Sequence, residues 1–152
     1  MEIQAKDTSV IISEVMMPSQ ANVAGNIHGG EIIKLMDSAA YASARRYAKS
    51  NVVTARVDEV QFHLPIFVGD LVICTASVAY VGKTSMEVVV VVDVEDLDTD
   101  GRKKALTAFF TMVALDKKGR PTRVPDLVCT TEDEKNAYEL GKARHSSHTT
   151  NK

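Results

Sequence analysis

The chain has 152 residues, 45% of them hydrophobic and 25% charged, and a formal net charge of -2. That composition fits one soluble domain with a proper core, and the charge balance argues against a basic face for nucleic acid. Two cysteines, Cys74 and Cys129, stand in no CxxC or metal-ligand spacing, which excludes a disulfide framework and points to a reducing compartment.

The opening MEIQAKDTSVIISEV lacks the basic start and apolar run of a signal peptide. Residues 8 to 17, TSVIISEVMM, are β-branched and apolar and predict a first strand, halted at Pro18. A turn-rich loop follows, carrying Asn22, Gly25, Asn26, His28, Gly29 and Gly30. It opens into a helical pattern over about 31 to 48, roughly 27 Å long at ~1.5 Å per residue. On a helical wheel Ile32, Leu35, Met36, Ala39, Ala40 and Tyr47 share one arc, interrupted by Ser43. Asp37 sits at the border of that arc, between Ala44 and Ala48 on the wheel.

From Val52 the pattern turns to period two. Strands are predicted over 52 to 65, 71 to 81, 86 to 97 and 104 to 116, separated by VGD, GKTS and DTDG. VVVVVDV is too short to cross a bilayer, so no membrane partner is expected and the setting is cytoplasmic. Val88, Val90, Val92 and Val94 share one face, yet Val89 and Val91 occupy the other; strands apolar on both faces are covered on both. One cover is the helix; the other is expected from a second copy of the chain. Thr131 and Glu134 form a capping-box pair that predicts a peripheral helix over 131 to 144, with a frayed tail beyond it. The expectation is an α+β fold, a long central helix wrapped by an antiparallel sheet of five or six strands. Residues 1–130 form the single domain and 131–152 the peripheral helix and tail.

The chemistry concentrates where the glycine loop meets the helix. Glycines allow close backbone approach, and a helix start offers unpaired N–H groups at a positive dipole end. With a carboxylate nearby, that suits stabilising an oxyanion and activating water. Each residue also has a plainer reading. Asp37 could pair with Lys34 or Tyr41 at helical spacing; Asn22 and Asn26 could be turn formers; and a lone loop His28 is more often structural. Arg56 could pair with Asp58, and Gly82, Lys83, Thr84 and Ser85 could be only a hairpin turn. For Leu35, Met36, Phe62 and Met112, core is the better reading of each singly.

An ordered set of residues resembles the hotdog-fold acyl-CoA thioesterases, in particular the short bacterial acyl-CoA hydrolases related to the cytosolic brain-type enzyme. The set runs Pro18, Gln20-Ala21-Asn22, Gly25 to Gly30, Lys34 to Asp37, Arg56-Val57-Asp58, Phe62, Pro65, Val68-Gly69-Asp70 and Gly82 to Ser85. The resemblance implies hydrolysis of acyl-CoA to free CoA and a carboxylic acid, with no metal and no cofactor beyond the CoA of substrate and product. It implies Asp37 and Asn22 as the catalytic pair, from different subunits, with Asp37 a general base or a nucleophile. Gly29 or Gly30 is then the expected oxyanion donor. Asn26, His28, Arg56 and the segment Gly82, Lys83, Thr84, Ser85 become candidate substrate contacts. The homo-oligomer is at least a dimer, and a trimer of dimers is similar to the bacterial relatives. His63 departs from the pattern and is given no role. The rivals are a non-catalytic acyl-CoA sensor and an enoyl-CoA hydratase-like lyase.

Overall fold

Buried faces on three long strands and one helix build the architecture. The computed structural model describes residues 1–150, with side chains through His148. In order the elements are β1 (Glu2–Gln4), β2 (Val10–Val15), α1 (Gly29–Ala48), β3 (Asn51–Asp58), β4 (Leu71–Val81), β5 (Ser85–Asp96), β6 (Gly101–Leu115), β7 (Asp126–Val128) and α2 (Glu132–Thr150). Five strands form an antiparallel sheet in the order β2-β4-β5-β6-β3, and β1 pairs with β7 in parallel. This is the expected hotdog arrangement. Among the described residues no helix is long and apolar enough to cross a membrane.

The inner face of the sheet presents Val72, Cys74, Ala76 and Val78 from β4, and Val88, Val90 and Val92 from β5. Leu106, Ala108, Phe110 and Met112 of β6 complete it, and all are buried. Against it α1 lays Ile32, Leu35, Met36, Ala39, Ala40, Ala44 and Tyr47, the arc read from the wheel. The small residues in that arc let the sheet approach closely. Ser43 is buried too, and its hydroxyl donates to Thr8 O at 2.7 Å. The Thr8 hydroxyl donates to Ala5 O (2.7 Å) and accepts from Val78 N–H (2.9 Å). The polar interruption therefore ties helix, N-terminal 3-10 turn and sheet together, leaving no orphan hydroxyl. At its far end α1 stops at Lys49 in the left-handed region (φ 58), whose N–H donates to Arg45 O at 3.0 Å.

Three expectations need correction. The strand expected over 52 to 65 ends at Asp58, because Glu59 takes a left-handed backbone (φ 59) that no strand continues through. Residues beyond it form a loop, tied back where His63 N–H donates to Ala105 O. The tail helix does not stop near residue 144 but continues to Thr150; Asn151 and Lys152, also placed in the frayed tail, lie outside the described residues. The capping box at its start is present, with Glu134 N–H donating to Thr131 Oγ1 (3.1 Å) and Thr131 N–H to Glu134 Oε1 (3.3 Å). Finally, α2 itself packs on the outer sheet face, with its Gly141 against Tyr80 of β4 and its Arg144 bonded to Glu87 of β5. Part of the second cover thus comes from the same chain.

Candidate active site

The loop before α1 is a closed structure organised by Asn22. Its side-chain carbonyl accepts from Ala24 N–H (2.9 Å) and Asn26 N–H (3.2 Å), while its own N–H donates to Asn26 O at 2.7 Å. Gly25, at φ 92, makes the turn that only a residue without Cβ adopts cheaply. Ile27 N–H donates to Ile66 O (2.7 Å) and His28 N–H to Gln20 O (3.0 Å), so the loop is clamped where it meets the helix. The turn-former reading of Asn22 holds for its Oδ1. Asn26 has its backbone in the same small ring and bridges to Phe67.

At the start of α1, His28 is the N-cap residue yet makes no side-chain cap bond. A helix start without a cap leaves its first N–H groups for another acceptor. The two glycines there differ. A Cβ on Gly29 would meet the Phe62 ring at 3.4 Å, whereas a Cβ on Gly30 would meet nothing within 4 Å. A side chain at Gly30 would therefore project into open space.

Two turns further along, Asp37 is half-buried. Its partner is neither Lys34 nor Tyr41: the Thr54 hydroxyl donates to Asp37 Oδ1 at 2.6 Å. Thr54 stands on β3 just before a bulge and lies 3.3 Å from Met112 Sδ. It fixes one carboxylate oxygen and leaves the other available. The sequence reading missed Thr54. Its only signal was a polar residue on the same strand face as Val52, whose side chain is buried. No hydrogen bond joins Asn22 to Asp37 among the described residues.

Other candidates are occupied elsewhere in the single chain. Arg56 Nε donates to Asp58 Oδ1 at 2.8 Å with the guanidinium half exposed, the plainer of its two readings. Such a pair contributes little to stability, about 0–1 kcal/mol. In the β4–β5 hairpin, Gly82 N–H donates to Ser85 O (2.9 Å), Lys83 O accepts from Val124 N–H (3.0 Å) and Thr84 O from Ala114 N–H (2.9 Å). Their backbones hold the hairpin, while the Lys83 side chain is exposed. Neither group is bonded to Asp37. Leu35, Met36 and Met112 are core, with at most 9% exposure, but Phe62 is 44% exposed and is not. Among the described residues no cluster of three or more His, Cys, Asp or Glu is placed to hold a metal ion.

Comparison with known proteins gives this geometry a context. The family model described as "Thioesterase superfamily" matches residues 24–99, from the glycine loop through β5. The chain is 41% identical over 130 residues to the cytosolic acyl coenzyme A thioester hydrolase of Rattus norvegicus, covering 84% of this chain and 34% of that protein. It therefore spans about a third of that relative's length. Among solved structures, the acyl-CoA hydrolase of Staphylococcus aureus, in complex with butyryl coenzyme A, coenzyme A and coenzyme A disulfide, superposes with a TM-score of 0.90 at 29% identity, covering 99% of this chain and 92% of that one. An apo-hexameric acyl-CoA thioesterase superposes with a TM-score of 0.93 at 35% identity over 99% and 96% of the two chains. With the matched segment running through both the glycine loop and the aspartate helix, the chain belongs to the thioesterase superfamily.

Proposed function

We propose that the protein hydrolyses acyl-CoA thioesters to free CoA and a carboxylic acid, with Asp37 as the acid–base group or nucleophile. The observation that carries this is the Asp37 carboxylate. It is half-buried two turns along α1 from an uncapped glycine helix start and held through one oxygen by Thr54. The thioester carbonyl oxygen accepts from the backbone at Gly29 and Gly30, where the helix dipole favours the developing negative charge. Water attacks the carbonyl carbon as Asp37 takes its proton; the C–S bond then breaks, and Asp37 returns that proton to the departing sulfur, which leaves as the CoA thiol. Alternatively the carboxylate attacks first and expels CoA as its thiolate, and water then cleaves the mixed anhydride, releasing the acid and restoring the Asp37 carboxylate. Asn22 orients the water through its amide from a neighbouring subunit.

The sheet edge supports a site shared between subunits. Among the described residues β3 pairs only with β6, so one row of its backbone groups has no strand partner, and Val53, Thr54 and Ala55 beside it are exposed. Such an edge is a template for a second chain. The hexameric thioesterase supports a homo-oligomer here, a trimer of dimers by our reading. Further support comes from the Staphylococcus aureus enzyme, also solved with alanine at an asparagine, an aspartate and a threonine. Their spacing along that chain equals that of Asn22, Asp37 and Thr54 here. The relative named as cytosolic supports a cytoplasmic setting.

The test is thiol release from a series of acyl-CoAs by purified protein. Release supports hydrolysis; binding without release would favour an acyl-CoA sensor, and hydration of an enoyl-CoA without release a lyase. Sedimentation that finds only a 16.5 kDa particle at micromolar concentration contradicts the shared site. Gly30→Ala gives a cleaner check. The new methyl meets no protein atom, and alanine is a better helix former, so stability holds or rises slightly. Turnover nonetheless falls about tenfold, since the methyl projects where the thioester lies. Unchanged turnover would move the carbonyl away from this helix start.

A further inference from the structure

Phe62 is an exposed aromatic ring that the core does not use, and its position is fixed from both sides. After β3 breaks at Glu59, the loop is anchored by His63 N–H on Ala105 O (3.1 Å) and by Ile66 O accepting from Ile27 N–H (2.7 Å). Between those ties the Phe62 ring turns to the helix start, 3.4 Å (Cζ) and 3.6 Å (Cε2) from where a Cβ on Gly29 would stand. It is 44% exposed. On the next residue, Gly30, the space is open. The ring is thus the apolar wall adjoining the place where the carbonyl would sit.

Two arms leave a bound thioester carbonyl. The CoA arm carries amides and phosphates that need hydrogen-bond partners, and a phenyl ring offers none. The acyl arm is hydrocarbon and gains by leaving water against an apolar surface. We propose that Phe62 selects the acyl group, the hydrocarbon of the substrate lying against its ring beside Gly29. This rests on the acyl-CoA hydrolase reading and adds which residue sets chain-length preference.

Phe62→Ala and Phe62→Leu, measured against acetyl-, butyryl-, octanoyl- and palmitoyl-CoA, test it. In Phe62→Ala, kcat/KM falls about tenfold for the chains long enough to reach the ring, mainly through KM, and stays within about twofold for acetyl-CoA. Phe62→Leu, which keeps an apolar wall, recovers most of the loss. An equal fall across all four substrates overturns the proposal, because the ring would then serve the shared CoA arm or the helix start. No change at any length overturns it as well. So does a smaller particle in sedimentation, which would make Phe62 a subunit contact. Failure of the parent reading looks different: wild-type protein would release thiol from none of the four, and both inferences would fall together.

Discussion

Asp37→Ala lowers acyl-CoA turnover at least ~100-fold, the usual scale for losing a general base, and leaves the protein folded. Folding is safe because Asp37 contributes no core surface; its one bonded neighbour, Thr54, is itself exposed at the sheet edge. Asp37→Asn sharpens the result. The amide can still accept from the Thr54 hydroxyl, so geometry persists while the proton acceptor is gone, and turnover should fall as far as in the alanine variant. Thr54→Val keeps the shape of the side chain but removes the hydroxyl that orients the carboxylate, together with its weak contact to Met112 Sδ. A net hydrogen bond is worth on the order of 1 kcal/mol, more to a charged group, so the loss should be about tenfold and appear in kcat more than in KM. The measurement is steady-state thiol release at several substrate concentrations, with circular dichroism to verify folding. Asp37→Asn activity within a few-fold of wild type would remove Asp37 from the mechanism.

Much of this architecture is legible because burial imposes period. The alternation along β4 and β5, and the wheel arc of α1, name the residues that the structure buries. Asp37 stands out for the same reason: a carboxylate at the edge of an apolar arc needs a partner. Which partner was not legible. Thr54 reaches Asp37 only because β3 lies next to β6 at the sheet edge, bringing a residue 17 positions away under the helix. The break at Glu59 left no sign either, since a positive φ at a glutamate has no composition to mark it. The length of α2 was hidden by the kind of contact that holds it. Its docking uses no apolar stripe, which is what a wheel detects. It uses a glycine, an arginine and two aromatic rings placed singly.

That docking carries the second large effect. Glu87 of β5 is 6% exposed on the outer sheet face, where an unpaired carboxylate would be costly. Arg144 meets it with two bonds, Nε to Oε2 at 2.8 Å and Nη2 to Oε1 at 2.6 Å. The guanidinium also lies 3.7 Å from the centre of the Phe109 ring. Close approach of α2 depends on Gly141, where a Cβ would stand 2.6 Å from Tyr80 Cβ and 2.9 Å from Glu87 Oε1. Arg144→Ala leaves Glu87 buried without its partner and is expected to cost about 2–3 kcal/mol, below the fully buried range because the Arg144 side chain is 20% exposed. The melting temperature should fall by several degrees. Replacing both partners, Glu87→Leu with Arg144→Leu, should recover most of that loss, since the penalty lies in the unpaired charge rather than in the missing bond. The hydrogen bond to Glu87 raises the Arg144 pKa from an already high value. A raised folded-state value keeps the pair's contribution intact below the unfolded one, so the wild-type to Arg144→Ala difference should stay constant from neutral to mildly alkaline pH. Because α2 covers the sheet face opposite α1, turnover per folded molecule should not change. Thermal unfolding and kinetics on the same preparation separate the two. A double variant no more stable than Arg144→Ala would show that the helix is held by the ion pair's own attraction, and not by relief of a buried charge.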